Sequence, residues 1–130
     1  MSFLNSIFGN SDNSESTKSN VNWIALTNLE QLDSIVAISA VKPIVIFKHS
    51  TRCSISRMAL KQFEREYSLD ETVDAFFLDL IAHRDVSNEI ASRFNVYHES
   101  PQLILIKEGK AVYDVSHSDI DAEALKKVVG

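Results

Sequence analysis

Apolar residues in this chain fall into short continuous runs and wider helical stripes, and the two patterns alternate. Ile44-Val-Ile-Phe47 is a near-continuous, mostly β-branched run, the pattern of a strand buried on both faces. Trp23-Ile-Ala-Leu26 predicts a shorter strand before it. Between them Leu29, Leu32, Ile35 and Val36 follow helical spacing,. Thr27 and Glu30 have the spacing of a capping box, and Lys42-Pro43 closes the element. Ile55, Met58, Ala59, Phe63 and Tyr67 mark one face of a second helix,. A third strand is predicted within Val73 to Ile81, around Ala-Phe-Phe-Leu. Asp85 then caps a helix with Val86, Ile90 and Phe94 on its apolar face. Gln102-Leu-Ile-Leu-Ile106 and Ala111-Val-Tyr-Asp-Val115 read as strands joined by Lys107-Glu-Gly-Lys110, a hairpin signal,. Ser118-Asp-Ile-Asp121 opens a last helix, with Lys126 and Lys127 near its end, where the helix dipole favours cations.

The predicted order is β-α-β-α-β-α-β-β-α, an α/β chain with a mixed central sheet of about five strands flanked by helices. The first three strands alternate with helices and are expected to be parallel, with right-handed crossovers. The last two form an antiparallel hairpin. Residues 21–130 make up this domain. Residues 1–20 are different: Gly9 to Asn20 is rich in Ser and Asn and almost free of apolar side chains, so it reads as a flexible lead-in. Phe3, Leu4, Ile7 and Phe8 precede it without any Lys or Arg to meet lipid headgroups, which favours a frayed terminus over a membrane-surface helix.

Composition narrows the function classes. The chain has 130 residues and a net charge of −5. It has no basic stripe, which disfavours nucleic-acid binding. No apolar run is long enough to span a membrane. A single cysteine, Cys53, excludes an internal disulfide and fits a reducing cytoplasm,. His49 and Cys53 are close in sequence, but His83, His98 and His117 are scattered. No Cys-x-x-Cys or His-x-x-x-His pair exists, so no metal site is expected.

The candidate chemistry centres on Cys53, which follows the second strand and opens the second helical pattern. The first turn of a helix carries unpaired N–H groups and partial positive charge. A thiol placed there ionises more readily, and the thiolate is the attacking form. Arg52 is adjacent and His49 lies four residues earlier; either adds to that field. Ser56 shares the helix face of Cys53 and is placed to hydrogen-bond a thiolate, because i and i+3 are neighbours on a helix. Ser50, Thr51 and Ser54 give the turn polar surroundings, unlike those of a buried core thiol.

This element order, with a cysteine after the second strand and Pro101 just before the hairpin, resembles the thioredoxin-like fold. The strings Lys48-His-Ser-Thr-Arg-Cys-Ser-Ile-Ser56, Ser87-Asn88, Arg93-Phe94, His98-Glu-Ser-Pro-Gln102, Ser116-His117 and Asp119-Ile120 resemble the YtxJ-like family of monothiol bacilliredoxins. The likeness runs from near Trp23 to the C-terminus. It implies that Cys53 is the nucleophile and that Pro101 is a cis-proline packed beside it. It also implies that Ser100 offers its backbone to the sulfur partner, with Thr51, Ser54 and His49 lining the same groove. Ser56 stands where dithiol relatives place a resolving cysteine, so a monothiol cycle follows. Ser54 departs from the proline that the resemblance leads one to expect after the cysteine.

The expected activity is thiol–disulfide exchange: removal of a low-molecular-weight, bacillithiol-type thiol from protein mixed disulfides, with Ser56 and Arg52 tuning Cys53. Client proteins carrying mixed disulfides and the small thiol are the partners. The small thiol acts as a cosubstrate, and no bound cofactor is implied. Two other readings stay open, a non-catalytic thioredoxin-fold adaptor and a thiol redox-sensor or stress protein.

Overall fold

The computed structural model describes residues 21–69 and 72–129, and the predicted lead-in over residues 1–20 lies outside them. The elements are β1 (Ile24–Ala25), α1 (Glu30–Ser39), β2 (Ile44–His49), α2 (Ser54–Glu66), β3 (Asp74–Asp79), α3 (Arg84–Phe94), β4 (Gln102–Lys107), β5 (Lys110–Ser116) and α4 (Ala122–Val129), with a 3-10 turn at His117–Asp119 before α4. The sheet has 5 strands in the order β1-β3-β2-β4-β5. β3 pairs in parallel with both β1 and β2. β4 pairs antiparallel with β2 and with β5.

The central place of β2 follows from its residues. It is flanked by β3 and β4 and covered on both faces, and all its residues are buried. Val45 and Phe47 point into one core with Phe63, Tyr67, Leu125 and Val129 of the α2 and α4 side. Ile44 and Ile46 point into the other core with Leu32, Ile35, Val86 and Ile90 from α1 and α3. Each such side chain contributes about 1.5–3 kcal/mol on full burial. Trp23 closes the first core, with its ring centroid 6.1 Å from Phe63 and 5.9 Å from Phe47.

Several local expectations shift. The N-terminal capping box is Asn28 with Gln31, one residue on from Thr27 and Glu30. Gln31 N–H donates to Asn28 Oδ1 at 3.0 Å, and Gln31 Oε1 accepts from the N–H groups of Thr27 and Asn28. The glutamine amide also donates to Ala25 O at 2.8 Å, a second anchor that a carboxylate at position 30 cannot supply. Asp85 sits inside the first turn of α3 instead of capping it. Ser118 lies in the 3-10 turn, and the α4 cap is Asp121, whose Oδ1 accepts from Glu123 N–H at 2.9 Å. On α2, Phe63 is buried, but Ile55 and Met58 are 56% and 71% exposed. The buried face of α2 runs through Ser56, Ala59, Leu60 and Phe63, so Ile55 and Met58 stand to its side and face solvent.

The hairpin forms as predicted. Glu108 and Gly109 both take positive φ, 52° and 76°, as a two-residue turn matched to strand twist requires. Both turn amides are tied to the end of α1: Glu108 N–H donates to Ser39 O and Gly109 N–H to Ser39 Oγ, each at 2.8 Å. Among the described residues no helix is long and apolar enough to cross a membrane.

Candidate active site

Strand register brings three loops together at one end of the sheet. Lys48 on β2 lies opposite Gln102 on β4, and Gln102 lies opposite Ser116 on β5. The turn Ser50–Cys53, the segment Tyr97–Pro101 and the turn after Ser116 therefore adjoin. Backbone bonds fix them: Leu80 N–H donates to His49 O at 3.0 Å, and His117 N–H donates to Pro101 O at 3.0 Å. The Ser100–Pro101 peptide bond is cis.

Cys53 is the N-cap residue of α2, with extended backbone (φ −110°, ψ 121°) and no side-chain capping bond. Its carbonyl accepts the first helical hydrogen bond, from Arg57 N–H at 3.1 Å, and its own N–H donates to Ser50 O at 3.2 Å. The thiol is free and half-buried. A sulfur at this position faces the uncapped start of a helix, where the backbone dipoles favour negative charge.

Ser56 is fully buried, and its hydroxyl is engaged by His49 and Ser50. Ser56 Oγ lies 2.8 Å from His49 Nδ1 and accepts from Ser50 N–H at 3.1 Å. It braces the turn that carries Cys53 from beneath. His49 is buried, its ring stacked obliquely 5.4 Å from Phe77. Burial lowers its pKa and the Arg57 charge adds to this, against the opposing pull of Asp79 and Glu64. The imidazole is thus neutral at pH 7, and it contacts Ser56.

The remaining predicted residues divide. Thr51, Arg52 and Ser54 are exposed around the thiol. Arg52 makes no hydrogen bond or ion pair among the described residues; the arginine that engages the turn is Arg57, whose Nη1 donates to Thr51 O at 3.2 Å. Arg57 was legible only from its place one helical turn beyond Cys53. Pro101 is buried, and the Ser100 hydroxyl is buried without a hydrogen-bond partner among the described residues. Ile55, Met58, Ala59, Gln62, His117, Ser118 and Ile120 line a shallow cavity of about 180 Å³ beside the helix start. Glu99 and His117 face each other across its neighbouring loops, Oε1 to Nε2 at 3.6 Å. No cluster of His, Cys, Asp and Glu among the described residues has the makings of a metal site.

One polar group had no counterpart in the sequence reading. Lys48 is completely buried on β2, facing the α1 and α3 layer. Its Nζ lies 3.0 Å from His98 Nδ1, and Ser87 Oγ of α3 lies 3.2 Å from the same nitrogen. Desolvation lowers the Lys48 pKa to about 8, with the Glu99 charge opposing. The only signal in the sequence was a lysine directly continuing an apolar strand run.

A parallel-antiparallel sheet between helix layers, with a lone thiol at the N-cap position of the helix after the central strand and a cis-proline in the adjoining segment, defines a thioredoxin-fold thiol protein. The comparisons agree. The family model described as monothiol bacilliredoxin BrxC matches residues 24–125. The chain belongs to the monothiol bacilliredoxin family. A solved thioredoxin-fold protein, described provisionally as an oxidoreductase, is 32% identical with a TM-score of 0.71, covering 83% of this chain and 94% of its own. Two thioredoxins share the fold at lower identity. That of Malassezia sympodialis is 17% identical, with a TM-score of 0.65 and coverage of 86% and 90%. Thioredoxin NaTrxh of Nicotiana alata is 22% identical, with a TM-score of 0.64 and coverage of 86% and 93%.

Proposed function

We propose that this protein removes a low-molecular-weight thiol, of the bacillithiol type, from mixed disulfides on client proteins in a reducing cytoplasm. The observation that carries the reading is Cys53 itself: a free, half-buried thiol at the N-cap of α2, with a buried serine at position 56. In the first step the Cys53 thiolate attacks the small-thiol sulfur of the mixed disulfide. A bond forms between Cys53 and the small thiol, the old disulfide breaks, and the client sulfur leaves as a thiolate that takes a proton from solvent. In the second step a free small thiol, as its thiolate, attacks the sulfur carried on Cys53. The symmetric small-thiol disulfide leaves, and Cys53 returns as a thiolate.

The surrounding groups support this chemistry in distinct ways. The start of α2 stabilises negative charge on sulfur. Ser56 and neutral His49 hold the turn in place. The backbone of Ser100, just before the cis-proline, is the group offered to the incoming sulfur partner. Exposed Ile55 and Met58 give an extended client an apolar surface next to the thiol,.

The test is intact-mass spectrometry. Wild-type protein is mixed with a client carrying a bacillithiol mixed disulfide, beside a Cys53→Ala control and a glutathione-loaded client. Transfer of the bacillithiol mass onto the wild type, absent from the control, is the expected result, and the faster of the two loaded clients identifies the cosubstrate. A client that stays loaded while Cys53 stays unmodified sinks the oxidoreductase reading in favour of an adaptor.

A further inference from the structure

Lys48 and His98 come from different elements, and neither has a role in the exchange chemistry above. Lys48 is a buried side chain on the strand that leads directly to the Cys53 turn. His98 sits in Tyr97–Pro101, the segment that leads into β4 opposite that strand. A lysine ammonium has only hydrogens to give. The 3.0 Å contact therefore makes His98 Nδ1 the acceptor and places the imidazole proton on Nε2. Ser87 Oγ, buried on α3, converges on the same nitrogen at 3.2 Å. Gln102 reinforces the segment from its other end, its amide donating to Tyr97 O at 2.8 Å. A buried cation with an imidazole as the acceptor for its ammonium is costly unless that bond is kept.

We propose that Lys48, His98 and Ser87 form a latch that positions the Tyr97–Pro101 segment as the wall of the client groove, and that protonation of His98 releases it. The inference rests on the oxidoreductase reading only for its effect on exchange; the latch itself is a structural claim. The charges decide the direction. A proton on His98 Nδ1 removes the only lone pair available to Lys48 and sets two cations within hydrogen-bond distance of each other. Arg84 on α3 adds a third positive charge near the ring, and Glu99 in the segment is the opposing carboxylate. Burial, followed by the Lys48 and Arg84 charges, lowers the His98 pKa, so the ring is neutral and the latch closed at neutral pH. Because the His98 residue is exposed, solvent protons reach it. These are positioning residues: none of them touches the reacting sulfur in this arrangement.

The test separates groove geometry from thiol reactivity. For each variant the rate of small-thiol transfer from a loaded client to Cys53 is divided by the rate of Cys53 alkylation by iodoacetamide, which needs no groove. In the wild type this ratio falls as pH drops from about 8 to about 5, and the amide resonances of residues 97–100 move on the same curve as the His98 ring. Lys48→Met and His98→Leu, both apolar, lower the ratio at pH 7.5 by roughly tenfold, the scale of a modest misplacement, and remove its pH dependence. His98→Gln, whose amide oxygen accepts from Lys48, restores most of the ratio but not the pH dependence. A ratio unchanged by Lys48→Met and His98→Leu and flat with pH in the wild type overturns the latch. Amide resonances that ignore the His98 titration overturn it even where the chain performs no exchange. Conversely, a titrating segment on a chain that leaves the client loaded keeps the latch and rejects the oxidoreductase reading.

Discussion

Lys48 and His49 are consecutive residues on the same strand, both buried, and they serve opposite faces of the sheet. His49 enters the α2 side, where its partner Ser56 lies seven positions away, beyond a tight turn. Lys48 enters the α3 side, where its partner His98 is fifty positions away, in a loop. The difference shows two ways of fixing a reactive site. The turn that carries Cys53 is braced locally, by a neutral pair inside one strand-turn-helix unit. The facing segment is held at long range, by a charge whose burial is tolerated only while its acceptor stays unprotonated. The first brace is insensitive to alkaline conditions, and the second depends on two titrating groups.

Removing the buried Lys48 charge is expected to produce the largest effect, a pH-dependent stability difference. The Lys48 pKa is about 8 in the folded chain against 10.5 for the free side chain. Between those values the unfolded chain binds more protons, so stability rises with pH and the penalty is complete below about 8,. At about 1.4 kcal/mol per unit, the contribution is on the order of 3 kcal/mol. Urea melts of the wild type across this window are expected to show the rise, and Lys48→Met to lack it while matching or exceeding wild-type stability at pH 7. A Lys48→Met variant with the same alkaline rise as wild type refutes the burial argument.

Ser56→Ala comes next. It strips Ser50 N–H and His49 Nδ1 of a buried partner, which costs about 1–3 kcal/mol, measurable in the same melts. Combining it with Lys48→Met tests whether the faces are independent: the two effects are expected to add within about 0.3–0.5 kcal/mol, because the residues share no partner. His49 gives a weaker limb on the acid side. Its folded pKa lies below 6.5, so the unfolded chain binds the extra proton there and stability falls as pH drops below 6.5,. Comparing His49→Gln with the wild type isolates that loss. Arg93→Ala is the smallest. Its bond to Asp33 (2.8 Å) ties α3 to α1 at the surface, and its bond to Glu89 (3.1 Å) is an i,i+4 pair within α3; exposed pairs of this kind are worth about 0.2–1 kcal/mol. An Arg93→Ala loss larger than that of Ser56→Ala would invert the ranking of buried over exposed partners.

Much of the fold was legible in the chain because its periodicities are local. The β-branched run at 44–47, the helical stripes through Leu32 and Ile35 and through Val86 and Ile90, and the Glu108-Gly109 turn each state their own conformation. Ile55 and Met58 misled for a physical reason: the face of α2 that packs on the core carries the polar Ser56, and the apolar pair stands beside it on the surface. Capping shifted by a residue at α1 because Gln31 reaches three backbone groups at once, which Glu30 at its position does not. At the site, the placement of Cys53 at a helix start was readable from strand-turn-helix order, whereas the partner of Ser56 was not. The contacts of Ser56 with His49 and Ser50 close a tight turn from strand to helix, and helical spacing does not state them.

The element order, the hairpin and the single cysteine at a helix start, with serine three residues on, can all be read from the chain alone. These depend on residue type and on neighbours a few positions away. Tertiary contacts were needed to show that Arg57 engages the turn through Thr51 O, and that the Ser100 hydroxyl is buried without a partner among the described residues. They were needed also to show that Lys48 is buried against His98 and Ser87. Each of those depends on strands and loops distant in the chain meeting at one end of the sheet. Burial there sets the cost of a charge and the worth of each hydrogen bond, and no local pattern encodes it.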